Sequence, residues 1–100
     1  MKTLTTEEIE TLTKVHTAWK LVDGKLVRDW IFTDFAEAME FVNHIAITAE
    51  KADHHPDIDI RYNKVRLGLV SHDAGGITKH DVAMVAKLDE EFPSASPTEN

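Results

Sequence analysis

The spacing of apolar positions switches between helical and strand periods along the chain, and each switch marks a predicted element. Thr6-Glu7-Glu8-Ile9 opens with a capping-type hydroxyl and acidic residues in a first turn, after which Ile9, Leu12 and Val15 follow helical spacing. From Ala18 to Phe32 the residues become β-prone and are split by Asp23-Gly24, a strong local signal for a hairpin. In the second of these strands Val27 and Ile31 alternate with Arg28, Trp30 and Phe32, so both faces carry apolar groups and the inward face stays open. Asp34 then caps the clearest helix, whose stripe of Phe35, Ala38, Met39, Val42, Ile45, Ala46 and Ala49 runs to about Lys51. Phe41 falls at the edge of that stripe and Ile47 opposite it, which marks them as surface positions or as part of a subunit interface.

Asp53-His54-His55-Pro56 should end the helix, because a residue before proline is pushed out of the α conformation. Beyond it Ile58, Ile60 and Tyr62 alternate with Asp57, Asp59 and Arg61, and after a turn at Asn63-Lys64 the residues Val65, Leu67 and Leu69 alternate again. This second hairpin ends at Ser71-His72. Gly75-Gly76 makes a loop, Thr78 caps a last helix through Val82, Val85, Ala86 and Leu88 to about Glu91, and Pro93 to Asn100 forms a polar tail expected to be disordered. The predicted order is α-β-β-α-β-β-α: an α+β domain over residues 1–92, with three helices on one face of a four-stranded antiparallel sheet. Such a sheet leaves edges and a second face to protect, which pairing with a twin subunit would do.

Composition narrows the function. Eleven Lys and Arg against eighteen Asp and Glu give a net charge of −7, a sign that argues against phosphate backbones and anionic bilayers as partners. The absence of cysteine removes disulfides, thiolate nucleophiles and Cys-based metal sites. No stretch approaches the roughly 18 apolar residues of a membrane span, nor does the amino terminus read as a signal sequence, so a cytoplasmic location is expected.

Against this background the histidines carry the chemistry. The start of one hairpin strand lies beside the end of its partner, so His54 and His55, just before Asp57, can meet His72, just after Val70, at one rim of the sheet. Asp53, Asp57 and Asp73 flank them and can fix imidazole tautomers. Paired imidazoles suit general acid-base work, one accepting a proton while another donates. A three-histidine zinc site is a competing reading, but the i, i+2 or i, i+4 spacing is absent; an incidental loop-end cluster is the third reading. His16, His44 and His80 have no histidine neighbours in sequence and read as solvated. Gly75-Gly76 is no phosphate loop, and no nucleophile elbow occurs.

The run Glu50-Lys51-Ala52-Asp53-His54-His55-Pro56, followed by Tyr62, His72 and Asp81, resembles the signature of the pterin-4a-carbinolamine dehydratases in residue types and intervals. Phe32-Thr33-Asp34-Phe35, Tyr62-Asn63-Lys64-Val65 and Ser71 to Thr78 resemble it too, so the likeness covers about Trp19 to Phe92. Ile58 and Asp59 depart from it where some animal members carry aromatic residues, which bears on pocket shape. The resemblance implies dehydration of a 4a-hydroxytetrahydropterin to the quinonoid dihydropterin, with no metal or organic cofactor, by a homodimer or homotetramer. It implies His54, His55 and His72 as the catalytic set, within which we read His54 as acid, His72 as base and His55 as positioning substrate. Asp53, Pro56, Ser71 and Asp73 would line the pterin site with the histidines, and Glu50 and Asp81 would support it. Animal members also serve as dimerisation cofactors for a homeodomain transcription factor, which gives a protein-binding role as the alternative.

Overall fold

Thr5 accepts the backbone N–H of Glu8 while the Glu8 carboxylate accepts the N–H of Thr5, and this reciprocal box starts helix α1 (Thr6–Val15) in the computed structural model, which describes residues 1–94. The cap thus falls one residue before Thr6. Three residues beyond Thr6 stands Ile9, which cannot return the bond. The backbone N–H of Thr5, and then its hydroxyl, hold the Glu8 carboxyl below the usual carboxylate range. Leu12 is buried and Ile9 packs against the core, but Val15, in the last turn, is 72% exposed and lies outside the expected stripe.

Strands β1 (Lys20–Val22) and β2 (Lys25–Ile31) are joined at Asp23-Gly24, where φ is 49° and 79°. Positive φ at both central residues is the type I′ requirement that the Asp-Gly pair meets. Helix α2 (Phe35–Ala52), strands β3 (Asp57–Arg61) and β4 (Lys64–Leu69), and helix α3 (Lys79–Glu91) complete the predicted order. The antiparallel sheet runs β1-β2-β4-β3. The second hairpin turns at Tyr62-Asn63 rather than Asn63-Lys64, because Lys64 already pairs with both Arg61 and Ile31.

Register settles which face is inward. Leu26, Arg28 and Trp30 stand opposite Leu69, Leu67 and Val65 and are all buried, whereas Asp29 and Ile31 stand opposite Arg66 and Lys64 and are exposed. The inward set packs with Leu12 of α1, Phe41 and Ile45 of α2, and Val85 and Leu88 of α3. On the outer face Arg66 grips Asp29 through two bonds of 2.7 and 3.0 Å, which lowers the Asp29 carboxyl and raises the Arg66 guanidinium. Both side chains are more than half exposed, so the pair contributes little to stability.

The buried stripe of α2 is Ala38, Phe41, Ile45, Thr48 and Ala49, while Phe35 and Ala46 are exposed. Phe41 is therefore a core residue, 4% exposed, not a surface or interface position. Its ring lies 4.9 Å from Trp30, 5.0 Å from Phe32 and 4.9 Å from Phe92, and those aromatic partners set the rotation of the helix on the sheet. Ile47 is exposed as expected.

A charged residue completes the inward face. Arg28, 3% exposed, lies 4.3 Å over Trp30, bonds Asp89 of α3 through Nη1, and donates through Nη2 to the Pro93 carbonyl at 3.1 Å. The same Asp89 carboxylate accepts from the Trp19 indole at 2.8 Å and pairs with His16 Nδ1 at 2.7 Å. His16 is thereby a half-buried tie between the end of α1 and α3 rather than a solvated residue. Pro93, at the start of the expected tail, is held to the domain; residues 95–100 lie outside the described residues.

Arg28→Met should keep the apolar stem but strip Asp89 of its strongest partner. The expected loss in urea unfolding is about 2–3 kcal/mol, below the roughly 3–5 kcal/mol of a fully buried pair because Asp89 is 21% exposed. A loss below about 0.5 kcal/mol would show the network to be dispensable.

Candidate active site

Helix α2 ends through Asp53, which adopts the left-handed conformation (φ 50°, ψ 41°) and sends its N–H back to the carbonyls of Ala49 and Glu50. Asp is among the few side chains that tolerate this region. The helix thus stops three residues before Pro56, by a left-handed cap; the proline lies beyond the end it was expected to cause. The reversal separates the adjacent histidines. His54 turns inward until its side chain is 12% exposed, and its N–H still bonds the Ala49 carbonyl at 3.1 Å; His55 stays outside and pairs through Nε2 with the exposed Glu50 carboxylate.

The inward histidine meets Asp81. Its Nε2 lies 2.6 Å from Asp81 Oδ1, and the carboxylate has no exposed surface. The other oxygen, Oδ2, accepts from Ser71 Oγ at 2.9 Å and from the Thr78 N–H at 2.8 Å. The last bond is half of the capping box of α3, in which the Thr78 side chain is the N-cap and Asp81 is the third helical residue. One buried carboxylate therefore starts a helix, holds the end of the β4 connection and orients an imidazole. A carboxylate can only accept, so the facing Nε2 carries a proton.

Ser71 leads into a tight loop. Its backbone bridges Gly76 while Gly75, at φ 74°, takes a conformation that side chains resist. His72 and Asp73 stand exposed on this loop. The structure thus brings His54, Ser71 and Asp81 into one bonded set, places His72 next to Ser71 in the chain, and pairs His55 with Glu50 at the helix end. Asp53 shapes the backbone and Pro56 leads into β3. Asp57 is drawn instead to Lys25, 2.5 Å away on the outer sheet face. No three His, Asp or Glu side chains among the described residues are grouped to hold a metal ion.

Two residues escaped the sequence reading. Thr78 was legible as a cap, but its hydroxyl also lies 2.8 Å from Ser71 Oγ in a fully buried position. His80, read as merely solvated, is exposed but stands with its ring perpendicular to that of His54 at 6.0 Å, both lining a groove of about 860 Å³ between α2 and α3. No spacing rule links positions 54 and 80, so only the helix packing reveals it.

A buried carboxylate holds the His54 imidazole by a hydrogen bond, and the His80 ring stands 6.0 Å from it. The family model of pterin 4 alpha carbinolamine dehydratase matches residues 2–91, and the chain belongs to that family, one of hydro-lyases. A protein of Chloroflexus aurantiacus named for pterin-4-alpha-carbinolamine dehydratase is 53% identical over 72 residues, 72% of this chain and 77% of its own. Another so named, from Acidobacterium capsulatum, is 51% identical over 89% of this chain and 97% of its own. The crystal structure of a transcriptional coactivator/pterin dehydratase from Brucella melitensis superposes with a TM-score of 0.81 at 34% identity, covering 89% of this chain and 97% of that one. Among the described residues no helix is long and apolar enough to cross a membrane.

Asp81→Asn tests the hub. An amide offers an acceptor oxygen on one side only, so the variant either strands a buried donor or forces His54 to move its Nε2 proton to Nδ1, at a cost of about 1–3 kcal/mol. Chemical denaturation should show that loss, and a variant as stable as the parent would mean that the carboxylate is not needed by the fold.

Proposed function

We propose that this protein dehydrates a 4a-hydroxytetrahydropterin to the quinonoid dihydropterin. Expelling hydroxide from carbon 4a needs a proton on the leaving oxygen, and forming the new double bond needs a proton taken from a ring nitrogen. Two imidazoles at one rim do both near neutral pH, where imidazole exchanges protons readily. His54 is the acid, His72 the base, and His55 positions substrate, with Asp53, Pro56, Ser71 and Asp73 lining the pterin site and Glu50 and Asp81 supporting it. The observation that carries this reading is the 2.6 Å contact between His54 and the fully buried Asp81, an arrangement that keeps one proton on Nε2 and leaves Nδ1, protonated in the imidazolium, to deliver the proton of the acid. A protein-binding cofactor role would need a helical surface and no such pair. No metal or organic cofactor enters the chemistry.

Turnover of synthetic pterin carbinolamine is the direct test. His54→Ala and His72→Ala should each lower the rate by about 10²-fold or more, the usual scale for positioned acid-base groups, and chelators should leave the rate unchanged. Wild-type protein that does not accelerate dehydration, or alanine variants as fast as the parent, would overturn the reading.

The working form we propose is a cytoplasmic homodimer or homotetramer. Strands β1 and β3 are unpaired edges, the outer sheet face carries exposed Val22 and Ile31, and Ile47 is exposed on α2. Sedimentation at micromolar concentration should show a species larger than 11.3 kDa, and only that mass would refute the assembly.

A further inference from the structure

Thr78 and Ser71 have a hydrogen-bond direction that can be worked out. The Asp81 carboxylate accepts only, so Ser71 Oγ spends its one proton on Asp81 Oδ2 at 2.9 Å. In the 2.8 Å contact between the two hydroxyls, Thr78 must then be the donor. Thr78 Oγ1 also accepts the His80 N–H at 3.2 Å, so its rotation is fixed from the helix side. The result is a directed path from the first turn of α3, through Thr78, Ser71 and Asp81, to Nε2 of His54. Thr78, Ser71 and Asp81 are all buried, and no water is needed to complete the path.

We infer that Thr78 is a positioning residue of the dehydratase site, acting through Ser71 and Asp81 to hold the His54 imidazole plane and tautomer; this rests on the dehydratase reading only for its kinetic consequence. An N-cap needs only an acceptor for a backbone N–H, a part that the threonine plays toward His80. Its proton has a separate task. Without it, Ser71 Oγ loses the incoming bond that directs its own proton at Asp81, and the carboxylate keeps the Thr78 N–H but loses the fixed direction of its second donor. Small misplacement of a proton-transfer group is costly in rate even where the fold survives.

The experiment compares Thr78→Val, nearly isosteric and without the hydroxyl, with Thr78→Ser, which keeps it. Nitrogen-15 shifts of the His54 ring report its tautomer independently of activity, and turnover of synthetic pterin carbinolamine reports the consequence. Thr78→Val should shift the His54 ring signals away from the Nε2–H tautomer and lower kcat by about tenfold with KM nearly unchanged, and Thr78→Ser should restore both. Unaltered ring shifts in folded Thr78→Val would overturn the inference whatever the rate does. Should that variant fail to fold, Ser71→Ala breaks the same path one link nearer to Asp81, and unaltered His54 shifts there would overturn it equally. A wild-type protein inactive on the carbinolamine would remove the dehydratase reading while leaving the tautomer measurement decisive for Thr78.

Discussion

A carboxylate without contact with water has to have its lone pairs met by donors, and at Asp81 that demand organises one whole end of the molecule. Its donors come from three places that are distant in sequence: His54 after α2, Ser71 after β4, and the backbone of Thr78 at the start of α3. Each donor needs the others, since leaving any one out strands a buried charge. The left-handed cap at Asp53 and the left-handed Gly75 are the local backbone devices that bring the first two to it. The carboxylate that begins α3 also holds Nε2 of His54.

The opposite end of α3 is pinned by a second shared carboxylate. Asp89 gathers Arg28 from β2, Trp19 from the approach to β1, and His16 from the end of α1. Between the two carboxylates the helix contributes Val85 and Leu88 to the apolar core. This division separates the tasks of the charged residues. The Asp89 end supplies cohesion, with its arginine out of solvent, while the Asp81 end keeps one imidazole at the boundary between core and groove and leaves His55 and His72 exposed beside it.

What the chain determined by itself was most of what neighbours in sequence govern, with the cap at Thr5, the turn at Tyr62-Asn63 and the left-handed end at Asp53 shifted from their expected places. The Asp23-Gly24 turn, the Asp34 and Thr78 caps, the alternation of Val65, Leu67 and Leu69, and the element order all follow from local backbone preferences and periodicity. Asp53, His54, His55, Ser71, His72 and Asp81 stood out as a pattern of residue types that resembles the family signature. Tertiary structure decided whatever depends on which surfaces meet. Phe41 became core because Trp30, Phe32 and Phe92 converge on it, Arg28 turned inward because Asp89 and the Trp30 ring receive it, and Val15 was left outside because the described residues leave it uncovered. It likewise decided that His54 rather than His55 faces the buried carboxylate, and that Thr78 touches Ser71 as well as capping a helix. Periodicity encodes a residue's direction relative to its own element, whereas a hydrogen bond between positions 54 and 81 exists only once two elements have packed, and no local pattern carries that distance.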